Sequence, residues 1–348
     1  MRLHVVSLPH TQTTTSYSWC AYTEKARKFA SMMTRRGHTV YLYASRDNNA
    51  VCHEHIQVTP TPPHTGVTEP EWTPGYFEHM NHRAIHAIRQ RIEPHDLICL
   101  IAGTCQQPIA QAFPNHQTVE YGIGYEGTFA DYRVFESYAW MHTVYGHQQG
   151  AMSSDGRFYD TVIPNYFETT QFPPGDGEGG YLLYVGRLID RKGVQVAVDV
   201  SKRTGIPLIL AGQGTPPDHG VHVGVVGPED RARLMGAATA LICPTLYVEP
   251  FGGVAVEAQL CGTPVLSTDW GAFTETVEHT VTGYRCRTIS EFTTGLEHAH
   301  LLDRTRIRDR AIARYSTEVV SGMYEEYLER VQGVNNGNDF YGHDCIWR

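Results

Sequence analysis

Ala240-Leu241-Ile242-Cys243-Pro244 is followed shortly by Glu249-Pro250-Phe251-Gly252-Gly253-Val254-Ala255-Val256-Glu257-Ala258. The first run reads as a strand, the second as a turn that opens a helix over Val254–Leu260. A glycine pair at a helix start leaves backbone N–H groups for a phosphate or a sugar hydroxyl. Glu249 lies just before the helix and Glu257 inside it, so both acids can face one cleft. A carboxylate accepts in two directions, which suits vicinal hydroxyls. The plainer reading is a capped surface helix with ordinary acids.

Working outward, short apolar runs alternate with helical periods. Strands are expected at Tyr181–Val185, Leu208–Ala211, His222–Val226 and Pro264–Ser267, with helices at Val194–Arg203 and Glu229–Ala238. This βαβ rhythm predicts parallel sheets. Gly186-Arg187-Leu188-Ile189-Asp190-Arg191-Lys192-Gly193 leaves one strand and opens a helix, where ligands of open α/β sheets bind. Arg187 and Lys192 are spaced to reach one diphosphate; two solvated cations are the alternative. Toward the N-terminus, strands are expected at Leu3–Leu8, Val40–Ala44, Asp96–Ala102 and Val119–Gly122. Helices are expected at Tyr22–Arg36, capped by Gly37, at His79–Arg91 and at Phe135–His142. The proline-rich stretch Thr59–Gly75 reads as loop. Ile163–Gly180, with Pro164, Pro173, Pro174 and four glycines, reads as a domain boundary. Ile312–Val331 reads as a helix, and the tail Asn335–Arg348 is unassigned.

The 348 residues suffice for two domains. With 41% hydrophobic and 19% charged residues, the balance is globular. No stretch has the form of a signal peptide or membrane span. A net charge of −9 does not advertise nucleic-acid or anionic-membrane binding. The eight cysteines form no C-x-x-C pair, so they read as small buried hydrophobes in a reducing compartment. A cytoplasmic location is expected. No G-x-G-x-x-G follows the first strand, which argues against a dinucleotide dehydrogenase.

Residues 181–287 resemble the donor-binding half of retaining GT-B glycosyltransferases of family GT4, also called glycosyl transferases group 1. The resemblance rests on the 186–193 and 249–258 motifs, Ala211-Gly212-Gln213-Gly214, Cys261-Gly262-Thr263-Pro264-Val265, Gly271-Ala272-Phe273-Thr274-Glu275 and Thr282-Gly283-Tyr284. It implies an α/β fold of two Rossmann-like domains facing each other across a cleft, with a C-terminal helix crossing back to the first. The domains would be residues 1–168 with the crossing segment 317–348, and residues 169–316. Ile163-Pro164-Asn165 matches the family's segment before the hinge, and Gly37-His38-Thr39-Val40 its second strand. The implied roles are diphosphate neutralisation by Arg187 and Lys192, sugar binding by Glu249 and ribose binding by Glu257. Phe251, Gly252 and Gly253 would offer backbone donors. Gly186 would lie at the donor, Gly212 would permit close approach of the nucleotide, and Val226, within Val225–Gly227, would border the base. The resemblance implies a nucleotide-sugar donor, a UDP-sugar foremost, and neither cofactor nor metal.

The first half departs from the family. Thr13–Ser18 replaces its glycine loop. After the strand at Val119, where many members have a histidine, stands Glu120-Tyr121-Gly122-Ile123-Gly124-Tyr125-Glu126-Gly127. Glu120, Tyr121, Gly122 and Glu126 are the acceptor-side candidates; either acid orients an acceptor hydroxyl or is structural. Residues 17–22, 120–127 and 133–142 are similar to bacteriophage-encoded glycosyltransferases, which implies 5-hydroxymethylpyrimidine in DNA as an acceptor. Lys25, Lys28, Arg35 and Arg36 would then supply a basic face, with Tyr121 and Trp140 suited to stacking. A solvated helix face explains the same cations, as does contact with anionic lipid in an enzyme that glycosylates lipids or glycans. A phosphorylase and a non-catalytic nucleotide-sugar binder are the remaining rivals.

Overall fold

Arg2–Val6 forms β1, and its buried Leu3, Val5 and Val6 place it at the centre of a sheet. The computed structural model describes residues 1–60, 74–149 and 156–334. Most of the proline-rich stretch, residues 61–73, and the tail 335–348 lie outside the described residues. After β1 come α1 (Ala21–Arg35), β2 (Thr39–Ala44), β3 (Glu54–Gln57), α2 (Pro74–Arg89), β4 (Leu97–Leu100), α3 (Gln107–Gln111), β5 (Thr118–Ile123), β6 (Tyr132–Phe135), α4 (Tyr138–Gln149) and β7 (Thr161–Val162). All seven strands are parallel, in the order β3-β2-β1-β4-β5-β6-β7.

The second sheet uses β8 (Leu182–Val185), β9 (Leu208–Ala211), β10 (Val221–Gly224), β11 (Ala240–Cys243), β12 (Val265–Thr268) and β13 (Gly283–Cys286). Its order β10-β9-β8-β11-β12-β13 is again wholly parallel. The helices are α5 (Val194–Thr204), α6 (Pro228–Ala237), α7 (Gly253–Leu260), α8 (Phe273–Thr276), α9 (Ile289–His298) and α10 (Arg304–Tyr315), and α11 (Thr317–Val334) follows. Both sheets are Rossmann-like, and in each the strand order reverses beside the first strand. The carboxyl ends of β8 and β11 flank the switch point of the second sheet, where open α/β sheets hold ligands.

The chain divides into two compact units. The first holds Met1–Glu136, Met141–Tyr166 and the chain from Thr317; the second holds Ser137–Trp140 and Phe167–Ser316. The crossing between them is pinned on each side. Tyr166 is buried in the first core and donates its hydroxyl to the Lys25 carbonyl at 2.8 Å, whereas Phe167 packs in the second core. The Pro173–Gly180 part of the expected boundary lies within the second unit. Arg304 fastens it there by donating to the carbonyls of Gly175, Gly236 and Ala238.

Helix α1 shows its apolar stripe, with Ala26, Phe29, Ala30 and Met33 fully buried. Gly37 ends it at φ +88°, and the His38 N–H reaches back to the Met33 carbonyl at 3.1 Å. The expected helix Phe135–His142 is replaced by β6 and a helix starting at Tyr138. Arg133 had masked the strand: its guanidinium is buried and donates to the Ala130 carbonyl and Thr128 Oγ1. The expected helix Ile312–Val331 is two helices, broken at the extended Ser316. Buried Val320, Tyr324, Leu328 and Val331 of α11 join the core of the first unit beside Phe29 and Met33.

Among the described cysteines, Cys20, Cys99, Cys243, Cys261 and Cys286 are buried, Cys52 is half-buried and Cys105 is exposed. Among the described residues no helix is long and apolar enough to cross a membrane.

Candidate functional site

Two loops meet at the carboxyl ends of β8 and β11. The first runs from Gly186 through Lys192 to Gly193, which sits at φ +71° just before α5. A Cβ on Gly193 would lie 2.0 Å from the Pro244 carbonyl oxygen, so only glycine lets this loop lie against the end of β11. The second loop runs from Thr245 to Gly252, whose φ of +77° turns the chain into α7. A Cβ on Gly252 would fall 2.5 Å from the Phe273 ring. The first amides of α7 are thus left without intrahelical acceptors at the crevice.

Across these loops Lys192 Nζ stands 2.7 Å from Glu249 Oε2. Burial works against the Lys192 ammonium, yet Glu249 and Tyr247 outweigh it and hold its pKa above the ordinary lysine value. The second acid has its own cation. Arg231 on α6 lies over Glu257, with Nε 2.8 Å from Oε2 and Nη2 donating to Oε1 at 3.1 Å. Each of the two acids is therefore held by a cation from a neighbouring element.

The remaining donor-side candidates have distinct places. Arg187 is exposed immediately after β8, and its carbonyl accepts from the Tyr184 hydroxyl at 2.8 Å. Gly186 and Gly212 are in backbone contact: a Cβ on Gly212 would lie 1.9 Å from the Gly186 oxygen. Val226 is half-buried beyond β10. The Phe251 side chain is buried against Phe167 and Tyr315, which leaves only its backbone for a ligand. Glu275 accepts from the N–H groups of Tyr138 and Ala139 at 2.9 and 2.8 Å, capping the first turn of α4. Arg231 was missed by sequence reasoning. A lone arginine on a helix gives no motif, and its partner is 26 residues away.

The acceptor-side candidates separate in the first unit. Glu120 is fully buried, and its carboxylate accepts from the N–H groups of Phe129 and Ala130, both at 2.8 Å, and from the Tyr125 hydroxyl. These contacts make it an anchor for the loop into β6. Burial pushes the Glu120 carboxyl up. Tyr121 is fully buried and stacked on Phe29 at 4.1 Å, so it offers no stacking surface. Gly122 adopts φ +60° and its carbonyl accepts from Lys25 Nζ at 3.1 Å. Glu126 is exposed, 3.9 Å from His147.

Of the four cations expected to form a basic face on α1, Lys25, Lys28 and Arg36 are held by carboxylates, and Arg35 is exposed. Lys25 is buried against Glu136, and Lys28 is buried 3.3 Å from Glu24. Arg36 donates through Nε to Glu325 of α11 at 2.8 Å. Lys25 points inward because the first turns of α1 lie over the β5 turn, Lys28 lies along its own helix toward Glu24, and Arg36 is drawn to α11. Among the described residues no group of three or more His, Cys, Asp or Glu converges as a metal site would require.

Residues 179–300 match the family model described as Glycosyl transferases group 1. The glycogen synthase of Mycobacterium tuberculosis is 35% identical over 149 residues, covering 36% of each chain. The chain thus spans about a third of the length of the curated relatives it first matches, 30% to 40%. The crystal structure of AviGT4, a glycosyltransferase involved in avilamycin A biosynthesis, superposes with a TM-score of 0.69. The two are 17% identical, over 96% of this chain and 98% of that one. Anabaena HepE in complex with UDP-glucose superposes with a TM-score of 0.65 at 16% identity, over 94% and 99%. Residues 179–300 thus match the glycosyl transferases group 1 family, and the chain has the two-unit Rossmann-like fold of the GT-B class.

Proposed function

We propose that this protein is a retaining glycosyltransferase that moves a sugar from a nucleotide-diphosphate sugar to a hydroxyl acceptor. The observation that carries the reading is the Lys192–Glu249 pair beside the start of α7. In this reading the diphosphate is met by Lys192, Arg187 and the α7 amides, without a metal. Glu249 accepts from hydroxyls of the transferred sugar. Glu257, held by Arg231, accepts from the ribose, and Gly212 and Val226 border the nucleotide. The bond from the anomeric carbon to the leaving phosphate oxygen breaks as the acceptor oxygen bonds to that carbon on the same face. The departing phosphate takes the acceptor proton. Protein groups contribute by positioning and by stabilising charge on the phosphate. A UDP-sugar is the donor of choice, supported by the UDP-glucose complex of HepE.

For the acceptor, 5-hydroxymethylpyrimidine in DNA rests on the resemblance of residues 17–22, 120–127 and 133–142 to phage-encoded enzymes, with a host cytoplasm as location. The paired state of Lys25, Lys28 and Arg36 removes the cationic helix from its support. A glycan or lipid hydroxyl is the alternative. The test is to incubate the protein with UDP- and GDP-sugars and hydroxymethylated DNA, plain DNA, or glycan and lipid acceptors, then weigh the products. Mass gain lost in Glu249→Ala is expected. Binding of nucleotide-sugar with neither transfer nor hydrolysis on any acceptor would identify a non-catalytic binder. Gain only on the other acceptors would remove the DNA reading.

A further inference from the structure

Tyr247 lies between the two loops of the donor site. Its ring sits 4.1 Å below the Arg191 guanidinium and 5.0 Å from Lys192 Nζ. Its hydroxyl lies within reach of Lys192 and Glu249, the two groups whose pairing it borders. Its backbone is fixed on both sides: the Tyr247 carbonyl accepts from Trp270 Nε1 at 3.3 Å, and the Leu246 N–H donates to the Arg191 carbonyl at 2.9 Å. One half-buried side chain therefore borders two of the three cations of the first loop, Arg191 and Lys192, and the acid of the second.

This placement matters because Lys192 has two claimants. Here it is paired with Glu249, whose side chain is only 14% exposed. A diphosphate in the crevice carries more charge than a carboxylate and draws the ammonium toward itself. Glu249 would then be a largely buried carboxylate that has lost its cation, a costly state unless another donor remains. The Tyr247 hydroxyl is already in contact with that carboxylate. The ring meanwhile keeps Arg191 and Lys192 together through cation–π contact.

We infer that Tyr247 is a positioning residue for the donor: its hydroxyl keeps Glu249 aimed while the diphosphate takes Lys192, and its ring holds both cations at the diphosphate. The inference rests on the glycosyltransferase reading of this crevice.

Tyr247→Phe removes the hydroxyl and keeps the ring; Tyr247→Leu removes both. Calorimetric binding of UDP, GDP and their glucose conjugates, with donor KM and kcat, reads the difference. For Tyr247→Phe the Kd of the nucleoside diphosphate and the donor KM rise about tenfold, kcat changes less, and the melting temperature stays near that of the wild type. Tyr247→Leu loses further affinity. In a Glu249→Gln background, Tyr247→Phe has little additional effect on Kd, because the hydroxyl acts through the carboxylate. Unchanged Kd and KM in Tyr247→Phe overturn the inference while leaving the donor reading intact, as does full additivity with Glu249→Gln. A wild-type protein that binds none of the nucleotides overturns the donor reading, and this inference with it.

Discussion

Lys192 Nζ and Glu249 Oε2 stand 2.7 Å apart although 57 residues separate them in the chain. The contact joins the loop after β8 to the loop after β11, the two strands that flank the point where the sheet order reverses. Removing either partner should leave the fold standing, since neither residue belongs to the hydrophobic cores of the second unit. Glu249→Ala and Lys192→Ala are each expected to lower transfer by about 100- to 1,000-fold, measured as product mass per unit time, with circular dichroism unchanged. Wild-type rates in either variant would sink the assignment.

The Arg231–Glu257 pair predicts a nucleotide effect rather than a sugar effect. Glu257→Gln should weaken binding of the nucleoside diphosphate about tenfold, equivalent to about 1.4 kcal/mol. Arg231→Gln should weaken it less, by loosening the carboxylate. A double-mutant cycle read by calorimetry should show coupling between the two positions. Strictly additive losses would mean that the ion pair plays no part in holding the nucleotide.

Gly193 carries a backbone prediction. Alanine there combines a φ of +71° with a Cβ that would overlap the Pro244 carbonyl. Gly193→Ala should cost about 2 kcal/mol or more, seen as a lower urea midpoint, together with loss of nucleotide binding. Gly205→Ala is the control. Its φ is similar at +72°, but a Cβ meets nothing within 4 Å, so it should show only the smaller backbone cost.

Asp96 predicts a pH effect in the first unit. His4 Nε2 lies 2.9 Å from its carboxylate and Arg2 Nε donates at 3.1 Å, while His4 Nδ1 meets the Tyr43 hydroxyl at 2.8 Å. Burial pushes the Asp96 carboxyl up, but these partners and the Glu93 N–H outweigh it, so its pKa stands below the ordinary aspartate value. A depressed acid contributes its stability above the unfolded-state pKa, about 3.9, and loses it as pH falls through the folded value. Asp96→Asn should therefore cost about 3 kcal/mol at pH 7 and shrink the stability difference from wild type in strong acid. Urea titrations from pH 7 to pH 2 check it; a difference that does not narrow on acidification would assign the loss to packing instead.

The donor crevice was legible because its parts recur as motifs. Gly193, Gly212 and Gly252 each meet a residue of another segment, yet each stands at a strand end or a helix start with φ above +70°, which only glycine fills readily, so the sequence carries it. Arg231 was not legible, because its meeting with Glu257 depends on how α6 lies against α7. Lys25 and Lys28 misled in the other direction. Lysines on a helix suggest a solvated or basic face; Glu24 stands one turn before Lys28 in the sequence, but only the fold brings Glu136 to Lys25. Strand β6 was hidden by Arg133, a buried cation whose acceptors lie in its own preceding loop. Strand β3 was hidden by its polar edge, where Glu54 pairs with Arg91 at 2.7 Å.

Helix α11 bears on the order in which the molecule is made. Val320, Tyr324 and Leu328 complete the core around Phe29 and Met33, yet a ribosome adds them only after the whole second unit has been synthesised. Residues 167–316 are contiguous apart from the short Ser137–Trp140 segment, which precedes them and has already been translated. The later-made unit can therefore reach its final packing first, while the earlier-made one waits with an exposed apolar seam. During synthesis that seam is the place where a chaperone would bind and where aggregation would begin.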